Sequence, residues 1–144
     1  MSELSDPNRD SPANKTILIV DDDESILNLL EILVKRDGFK VLTADSVDGA
    51  IYKLQRNPDL IILDLILPGN TYGIQVLEHI ETSGGAMPKV VVITAANANH
   101  EAAIAAKKNP NVSHFLQKPV RQEQLLELLH SLLGTQMPDH GSPS

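Results

Sequence analysis

Five short apolar runs punctuate this chain, and a segment with helical spacing follows each of them. The runs are Thr16 to Val20, Lys40 to Thr43, Leu60 to Leu63, Lys89 to Ile93 and Val112 to Gln117. Three of them are almost continuously apolar and rich in β-branched residues, the pattern of strands buried on both faces. Between them lie Glu24 to Arg36, with Ile26, Leu29, Leu30, Leu33 and Val34 at helical spacing, and Ser46 to Arg56, with Ala50, Ile51 and Leu54 on one face. Gly73 to Thr82 carries Ile74, Val76, Leu77 and Ile80, and Asn99 to Lys108 is alanine-rich, which suits close packing on a sheet. Arg121 to Leu133 sets leucines 125, 126, 128, 129, 132 and 133 on one arc and Glu123, Gln124, Glu127, His130 and Ser131 on the other. Asp37-Gly38, Asn57-Pro58, Gly84-Gly85 and Asn109-Pro110 end the first four helices. Strand–helix alternation of this kind predicts a parallel sheet covered by helices on both faces, wound with right-handed crossovers.

In an open sheet of this class, ligands bind beyond the carboxyl ends of the strands. The residues in that position carry the chemistry. Asp21, Asp22, Asp23 and Glu24 follow the first run, Asp64 the third, Thr94 the fourth, and Lys118-Pro119 the last. Asp64 is the one acid in an otherwise apolar stretch, Leu60 to Pro68, where a carboxylate is costly unless a positive group answers it. Clustered carboxylates also repel one another unless a cation holds them. Oxygen donors without His or Cys favour magnesium over zinc, and magnesium leaves coordination positions open to phosphate oxygens. Asp64 can then act as a nucleophile and form an aspartyl phosphate. Phosphoryl transfer needs in-line positioning and neutralised equatorial oxygens. Magnesium, Lys118 and the Thr94 hydroxyl could each cover one.

Composition narrows the alternatives. A net charge of -7 and 3% aromatic residues argue against direct nucleic-acid binding through a basic face or a stacking platform. The chain has no cysteine, so it holds no disulfide and no thiolate metal site. No apolar stretch reaches transmembrane length and no signal pattern opens the chain, so no membrane insertion is expected and the cytoplasm is the default location. The 144 residues suffice for one domain. Residues 1–14 and 135–144 are polar and rich in Pro, Ser or Gly and read as disordered tails around a folded region, 15–134. His79, His100, His114, His130 and His140 show no ligand spacing and read as surface or satisfied polar groups.

Four stretches taken together resemble the receiver domain of a bacterial two-component response regulator, CheY-like: Ile19-Val20-Asp21-Asp22-Asp23, Leu63-Asp64-Leu65-Ile66-Leu67-Pro68-Gly69, Val92-Ile93-Thr94-Ala95-Ala96 and Phe115-Leu116-Gln117-Lys118-Pro119. The resemblance implies a flavodoxin-like, doubly wound five-stranded parallel sheet in the order 2-1-3-4-5, with five helices. It implies that Asp64 is the phosphoacceptor, that Asp22 binds Mg2+ directly and Asp21 mainly through water, and that the backbone carbonyl of Ile66 is a further metal ligand. Lys118 would contact the phosphoryl group through a loop with a cis Lys118–Pro119 bond. Thr94 would swing toward the phosphate and Phe115 would rotate inward behind it. The phosphoryl donor would be a histidine kinase or phosphotransfer protein, and the output a change in binding to a partner protein or domain, as a monomer or a phosphorylation-dependent dimer. Such a chain is a phosphoacceptor, not an enzyme beyond its own phosphorylation and dephosphorylation.

Three places depart from the family pattern. Gly69-Asn70-Thr71-Tyr72-Gly73 lacks the usual acid and is one residue longer, Lys107 to Asn111 replaces a glycine-alanine approach to the last strand, and Val120 replaces an aromatic. Two other functions remain as alternatives. One is a haloacid-dehalogenase-like phosphatase with Asp21 as nucleophile and Asp23 as acid/base, although no acidic pair follows Lys118 on a further strand. The other is a pseudo-receiver that never takes phosphate.

Overall fold

The computed structural model describes residues 11–67, 71–85, 87–97 and 99–138, with Thr71 and Tyr72 described by their backbone. Of the expected tails, residues 1–10 and 139–144 lie outside the described residues, as do Pro68, Gly69 and Asn70 of the atypical loop.

The strands are β1 (Thr16–Val20), β2 (Lys40–Ala44), β3 (Leu60–Leu63), β4 (Ile66–Leu67), β5 (Thr71–Tyr72), β6 (Lys89–Thr94) and β7 (Val112–Gln117). The helices are α1 (Glu24–Arg36), α2 (Val47–Leu54), α3 (Ile74–Thr82), α4 (Glu101–Lys108) and α5 (Gln122–Leu133). Five strands form one parallel sheet in the order β2-β1-β3-β6-β7. Counted along that sheet alone, this is the expected order 2-1-3-4-5. The remaining two, β4 and β5, pair antiparallel in a separate small ladder. The long apolar run therefore does not make one strand: the sheet strand ends at Leu63, and Ile66–Leu67 turn away to pair with Thr71–Tyr72.

Side chains alternate across the sheet with the strand period of two. Leu18, Val20, Ile61, Leu63, Val90 and Val92 face α2, α3 and α4, while Ile17, Ile19, Leu60, Ile62, Val91 and Ile93 face α1 and α5. All but Ile62 and Ile93 are completely buried, and each is worth roughly 1.5–3 kcal/mol of burial. Ala102, Ala103 and Ala106 are buried under α4, so the alanine-rich helix sits close to the sheet as its composition predicts. The edge strand β7 is only partly covered, with Ser113 and His114 exposed.

Capping sets the helix entries. The Ser46 hydroxyl accepts the Gly49 N–H at 3.1 Å, so Ser46 caps α2. His100 caps α4, its Nδ1 accepting the Ala102 N–H at 3.1 Å. Gly38 follows α1 at φ 100, and Gly134 closes α5 at φ 65, both in the range that favours glycine.

The structure corrects the sequence reading at three points. His130, placed on the polar arc of the last helix, is 1% exposed. Its Nε2 meets Asp37 Oδ2 at 2.9 Å and its Nδ1 meets Thr135 Oγ1 at 2.7 Å, while its ring packs 4.7 Å from that of Phe39. The turn after α1 folds over this side of α5 and supplies a polar partner inside the core. The other two points are the domain limits. Pro12–Asn14 form a 3-10 helix capped by Ser11, and Pro12 lies against Gly38, so order begins before Lys15. At the other end Thr135 is fully buried, so order extends past Gly134.

Candidate functional site

The sheet ladder continues one residue past the strands and places the site. The Asp21 N–H donates to Ala44 O at 3.1 Å, the Asp64 N–H to Val20 O at 2.9 Å, and the Lys118 N–H to Thr94 O at 2.9 Å. Each functional residue is thus fixed by the carbonyl that ends a neighbouring strand. Residues 21 and 118 come together although 97 positions separate them.

The Lys118 ammonium bridges two carboxylates, at 2.6 Å from Asp21 Oδ2 and 3.0 Å from Asp64 Oδ2. The other oxygens accept from the backbone: Asp21 Oδ1 from the Asp23 N–H at 2.9 Å and Asp64 Oδ1 from the Ile66 N–H at 3.1 Å. Asp21 and Asp64 are buried and Asp22 is exposed. One carboxylate oxygen from each of Asp21, Asp22 and Asp64 lies within 4.8 Å of the others. Asp23 stands apart from this group. Its Oδ1 caps α1, accepting from Ser25 N at 2.9 Å and Ile26 N at 3.2 Å. The acidic run therefore divides between two tasks, helix capping and the pocket.

Burial pushes the Asp21 carboxyl above its usual range, and the Asp64 charge adds to that push. The hydrogen bonds from Lys118 and the Asp23 N–H pull it back without cancelling it. Burial alone would lower the Lys118 ammonium, but hydrogen bonds to Asp21 and Asp64 and their charges outweigh it and raise its pKa. One ammonium is well held here, yet it does not fully answer two buried carboxylates. An additional cation suits this pocket. The oxygen-only donor set fits a hard divalent ion such as magnesium.

Thr94 is fully buried at the end of β6, and its hydroxyl oxygen accepts the Ala96 N–H at 3.1 Å. The Lys118–Pro119 bond is cis, as the resemblance implies. Ile66 opens β4 with its side chain 37% exposed. Phe115 is half-buried on β7, with Lys107 Nζ 4.8 Å from its ring centroid. The structure thus gathers Asp21, Asp22, Asp64 and Lys118 directly, and sets Thr94 on the adjoining strand end and Phe115 two ladder positions behind it.

Gly73, read from the sequence as a helix start and as the last residue of the atypical loop, has a further role at the site. Its N–H donates to Leu65 O at 2.7 Å, and a Cβ placed on it would lie 2.2 Å from Asp64 O and 3.1 Å from Leu63 Cγ. A contact with a backbone oxygen cannot be relieved by a rotamer change. Gly73→Ala is expected to cost at least the upper part of the about 1–3 kcal/mol typical of overpacking, and to displace Asp64. Urea unfolding midpoints together with the amide chemical shift of Asp64 check this; unchanged values for both would refute it.

A doubly wound sheet with an acid pocket and a bridging lysine at its carboxyl edge defines a narrow class. Residues 17–130 match the family model described as the response regulator receiver domain. The chain belongs to that family, and its role is that of a receiver domain in two-component signalling. It is 33% identical over 121 residues to the nitrogen assimilation regulatory protein NtrX of Azorhizobium caulinodans, covering 83% of this chain and 26% of NtrX. Among solved structures it superimposes on a CheY-like response regulator receiver domain protein from Methanospirillum hungatei (TM-score 0.71, 28% identity, 83% of this chain and 93% of that one). It also superimposes on the response regulator TrrA of Thermotoga maritima in complex with Mg(2+)-BeF (TM-score 0.68, 27% identity, 83% of this chain and 99% of that one). The chain spans 26%, 34% and 54% of the length of NtrX, PhoP and MprA, three curated relatives it matches. These relationships do not favour the phosphatase alternative. No helix among the described residues is long and apolar enough to cross a membrane.

Proposed function

We propose that Asp64 is the phosphoacceptor of this receiver, served by Asp21 and Asp22 as magnesium ligands and by Lys118 and Thr94 at the phosphoryl oxygens. The observation that carries this reading is the Lys118 ammonium shared between Asp21 and Asp64, with Asp21 still pushed above its normal range. Magnesium, held by Asp21, Asp22, Asp64 and the Ile66 carbonyl, would neutralise phosphoryl charge and favour the ionised carboxylates. An Asp64 oxygen forms a bond to phosphorus as the bond from phosphorus to the donor breaks. With a phosphohistidine donor, the imidazole leaves with the electron pair. Lys118, released from part of its bond to Asp64, follows the negative charge onto a phosphoryl oxygen. The Thr94 hydroxyl donates to another, and Phe115 turns inward behind it.

The chain's donor is a histidine kinase or phosphotransfer protein, and its output is altered binding to a partner protein or domain. The proposed setting is the cytoplasm. The TrrA complex with Mg(2+)-BeF supports the cation requirement by family relationship.

The test uses a small phosphodonor such as acetyl phosphate with magnesium, read by intact mass and peptide mapping. Wild type is expected to gain one phosphoryl group on Asp64, Asp64→Asn none, and Asp21→Asn less and more slowly. A phosphoryl group found on Asp21, or retained in Asp64→Asn, would sink the assignment. Wild type that gains none would favour the pseudo-receiver.

A further inference from the structure

Thr94 is held at two points, its carbonyl directly by Lys118 and its hydroxyl by the loop residue Ala96, which Gln117 contacts. Its carbonyl accepts the Lys118 N–H at 2.9 Å. Its hydroxyl oxygen accepts the Ala96 N–H at 3.1 Å, and the Ala96 carbonyl in turn accepts Gln117 Nε2 at 2.9 Å. The same amide nitrogen lies 3.5 Å from Ala95 O. Gln117 faces Thr94 in the β6–β7 ladder, so its side chain reaches forward over a loop that has already left the sheet. The rest of Gln117 is exposed, and the contact with the loop carbonyls is the one its amide makes among the described residues.

A threonine hydroxyl has one proton to give and two lone pairs. With a lone pair committed to Ala96, the proton of Thr94 is left to donate, and the direction of that donation is set by where the Ala96 peptide sits. The carbonyl of the peptide that carries the Ala96 N–H is Ala95 O, 3.5 Å from Gln117 Nε2, and the carbonyl of the next peptide, Ala96 O, accepts the same nitrogen at 2.9 Å, so Gln117 restrains Ala96 through both flanking carbonyls. Because Gln117 also precedes Lys118, one dipeptide governs both groups that would meet phosphoryl oxygens: Lys118 through its own side chain, Thr94 through the Gln117 amide.

We infer that Gln117 is a positioning residue for phosphoryl uptake, orienting the Thr94 hydroxyl through the Ala96 peptide. The inference rests on the phosphoacceptor reading of Asp64. It concerns a side chain that touches neither the phosphoryl group nor the metal. A filler role would make Gln117 replaceable by any side chain of its length, whereas a positioning role requires a hydrogen-bond donor at its tip.

The experiment compares Gln117→Met, which keeps length and loses the donor, with Gln117→Arg, which keeps a donor. In the unphosphorylated protein, amide hydrogen exchange at Ala96 is expected to quicken about fivefold in Gln117→Met, the equivalent of one neutral hydrogen bond, and to stay near wild type in Gln117→Arg. With acetyl phosphate and magnesium, the rate of Asp64 phosphorylation is expected to fall by a similar factor in Gln117→Met and to be kept in Gln117→Arg. In a Thr94→Ala background, Gln117→Met is expected to add nothing, since the hydroxyl it serves is gone. Unchanged Ala96 exchange, an equal loss in Gln117→Arg, or a full additional loss on top of Thr94→Ala overturns the inference. Wild type that takes no phosphoryl group on Asp64 overturns the phosphoacceptor reading and this inference together. Normal wild-type uptake with a rate indifferent to Gln117 overturns the inference alone.

Discussion

Replacing His130 by alanine is expected to remove about 3 kcal/mol or more of stability, the sum of buried hydrogen-bonding groups left unmatched, about 1–3 kcal/mol, and the cavity the ring leaves behind. The Asp37 side chain is completely buried and its Oδ2 depends on His130 Nε2 at 2.9 Å. Alanine removes that donor, unties Thr135 from the ring, and opens a cavity against Phe39, where the imidazole now packs at 4.7 Å. The loss should be strongly non-additive. Asp37→Ala in the same chain removes the carboxylate that His130 faces, so the double variant is expected to be less destabilised than the two single effects summed. Urea unfolding of the four proteins measures both the loss and the coupling; a loss below about 1 kcal/mol for His130→Ala would show that the pair is not stabilising.

That variant is expected to leave Asp64 chemistry largely intact where the fold survives. The helix α5 runs back from Lys118, and Asp37 precedes the start of β2, which pairs with the start of β1. The Asp37–His130–Thr135 cluster therefore sits toward the amino edge of the sheet, and the phosphoryl pocket at the carboxyl edge.

The same cluster shows where the sequence could and could not be read. The alternation of strands and helices, the parallel sheet and the placing of Asp21, Asp22, Asp64, Thr94 and Lys118 after their strands follow from local periodicity combined with the rules of parallel sheets, while the strand order comes from the family resemblance. His130 escaped because a helical wheel knows only its own helix. By period it lies at the edge of the leucine arc, about 40° from Leu126 and about 60° from Glu127, and what draws it inside is a turn 93 residues away in sequence. Gly73 escaped for a related reason. A glycine at a helix start has ordinary local explanations, and the one that applies here is the backbone oxygen of Asp64, brought close by the tertiary fold. Four acids from Asp21 to Glu24 at the start of a helix suit capping and cation binding equally well by sequence alone. The backbone decides: Asp23 has the extended conformation of a cap, while Asp21 is still held to the β2 carbonyl of Ala44. The short ordered piece at Pro12–Asn14 escaped because proline-rich polar composition describes a tail and a docked 3-10 turn alike.

The second large effect is expected from Lys118→Met. Methionine has similar length and no charge, so the variant keeps the packing of the stem and removes the ammonium shared by Asp21 and Asp64. Without metal it is expected to lose about 3 kcal/mol, the lower part of the cost of breaking a buried pair, since the Lys118 side chain retains 16% exposure. Two buried carboxylates would then face each other with backbone N–H groups but no cation. The pH dependence follows from the direction of each shift. In wild type the raised Lys118 pKa gives stability that is fully present below its ordinary value of 10.5 and disappears only as pH rises through the higher folded value. The Asp21 carboxyl is raised for the opposite reason: its ionised form is the disfavoured one in the fold. Its contribution is fully present below the ordinary value of 3.8 and is lost as pH rises through the raised folded value. Removing Lys118 takes away a hydrogen bond and a charge that lower it, so the Asp21 carboxyl rises further. Metal-free Lys118→Met is therefore expected to gain stability on acidification through the raised folded pKa of Asp21, and to gain more than wild type. Millimolar magnesium should restore more stability to the variant than to wild type, because the ion takes over the charge that Lys118 supplied. Phosphoryl uptake on Asp64 should nevertheless stay low, since a metal beside Asp21 does not replace an ammonium at the phosphoryl oxygen. Urea midpoints across pH, with and without magnesium, decide the matter. A Lys118→Met protein as stable as wild type without metal, with no added response to acid or magnesium, would mean that the two carboxylates do not need the lysine for charge and that the pocket is less demanding than its geometry implies.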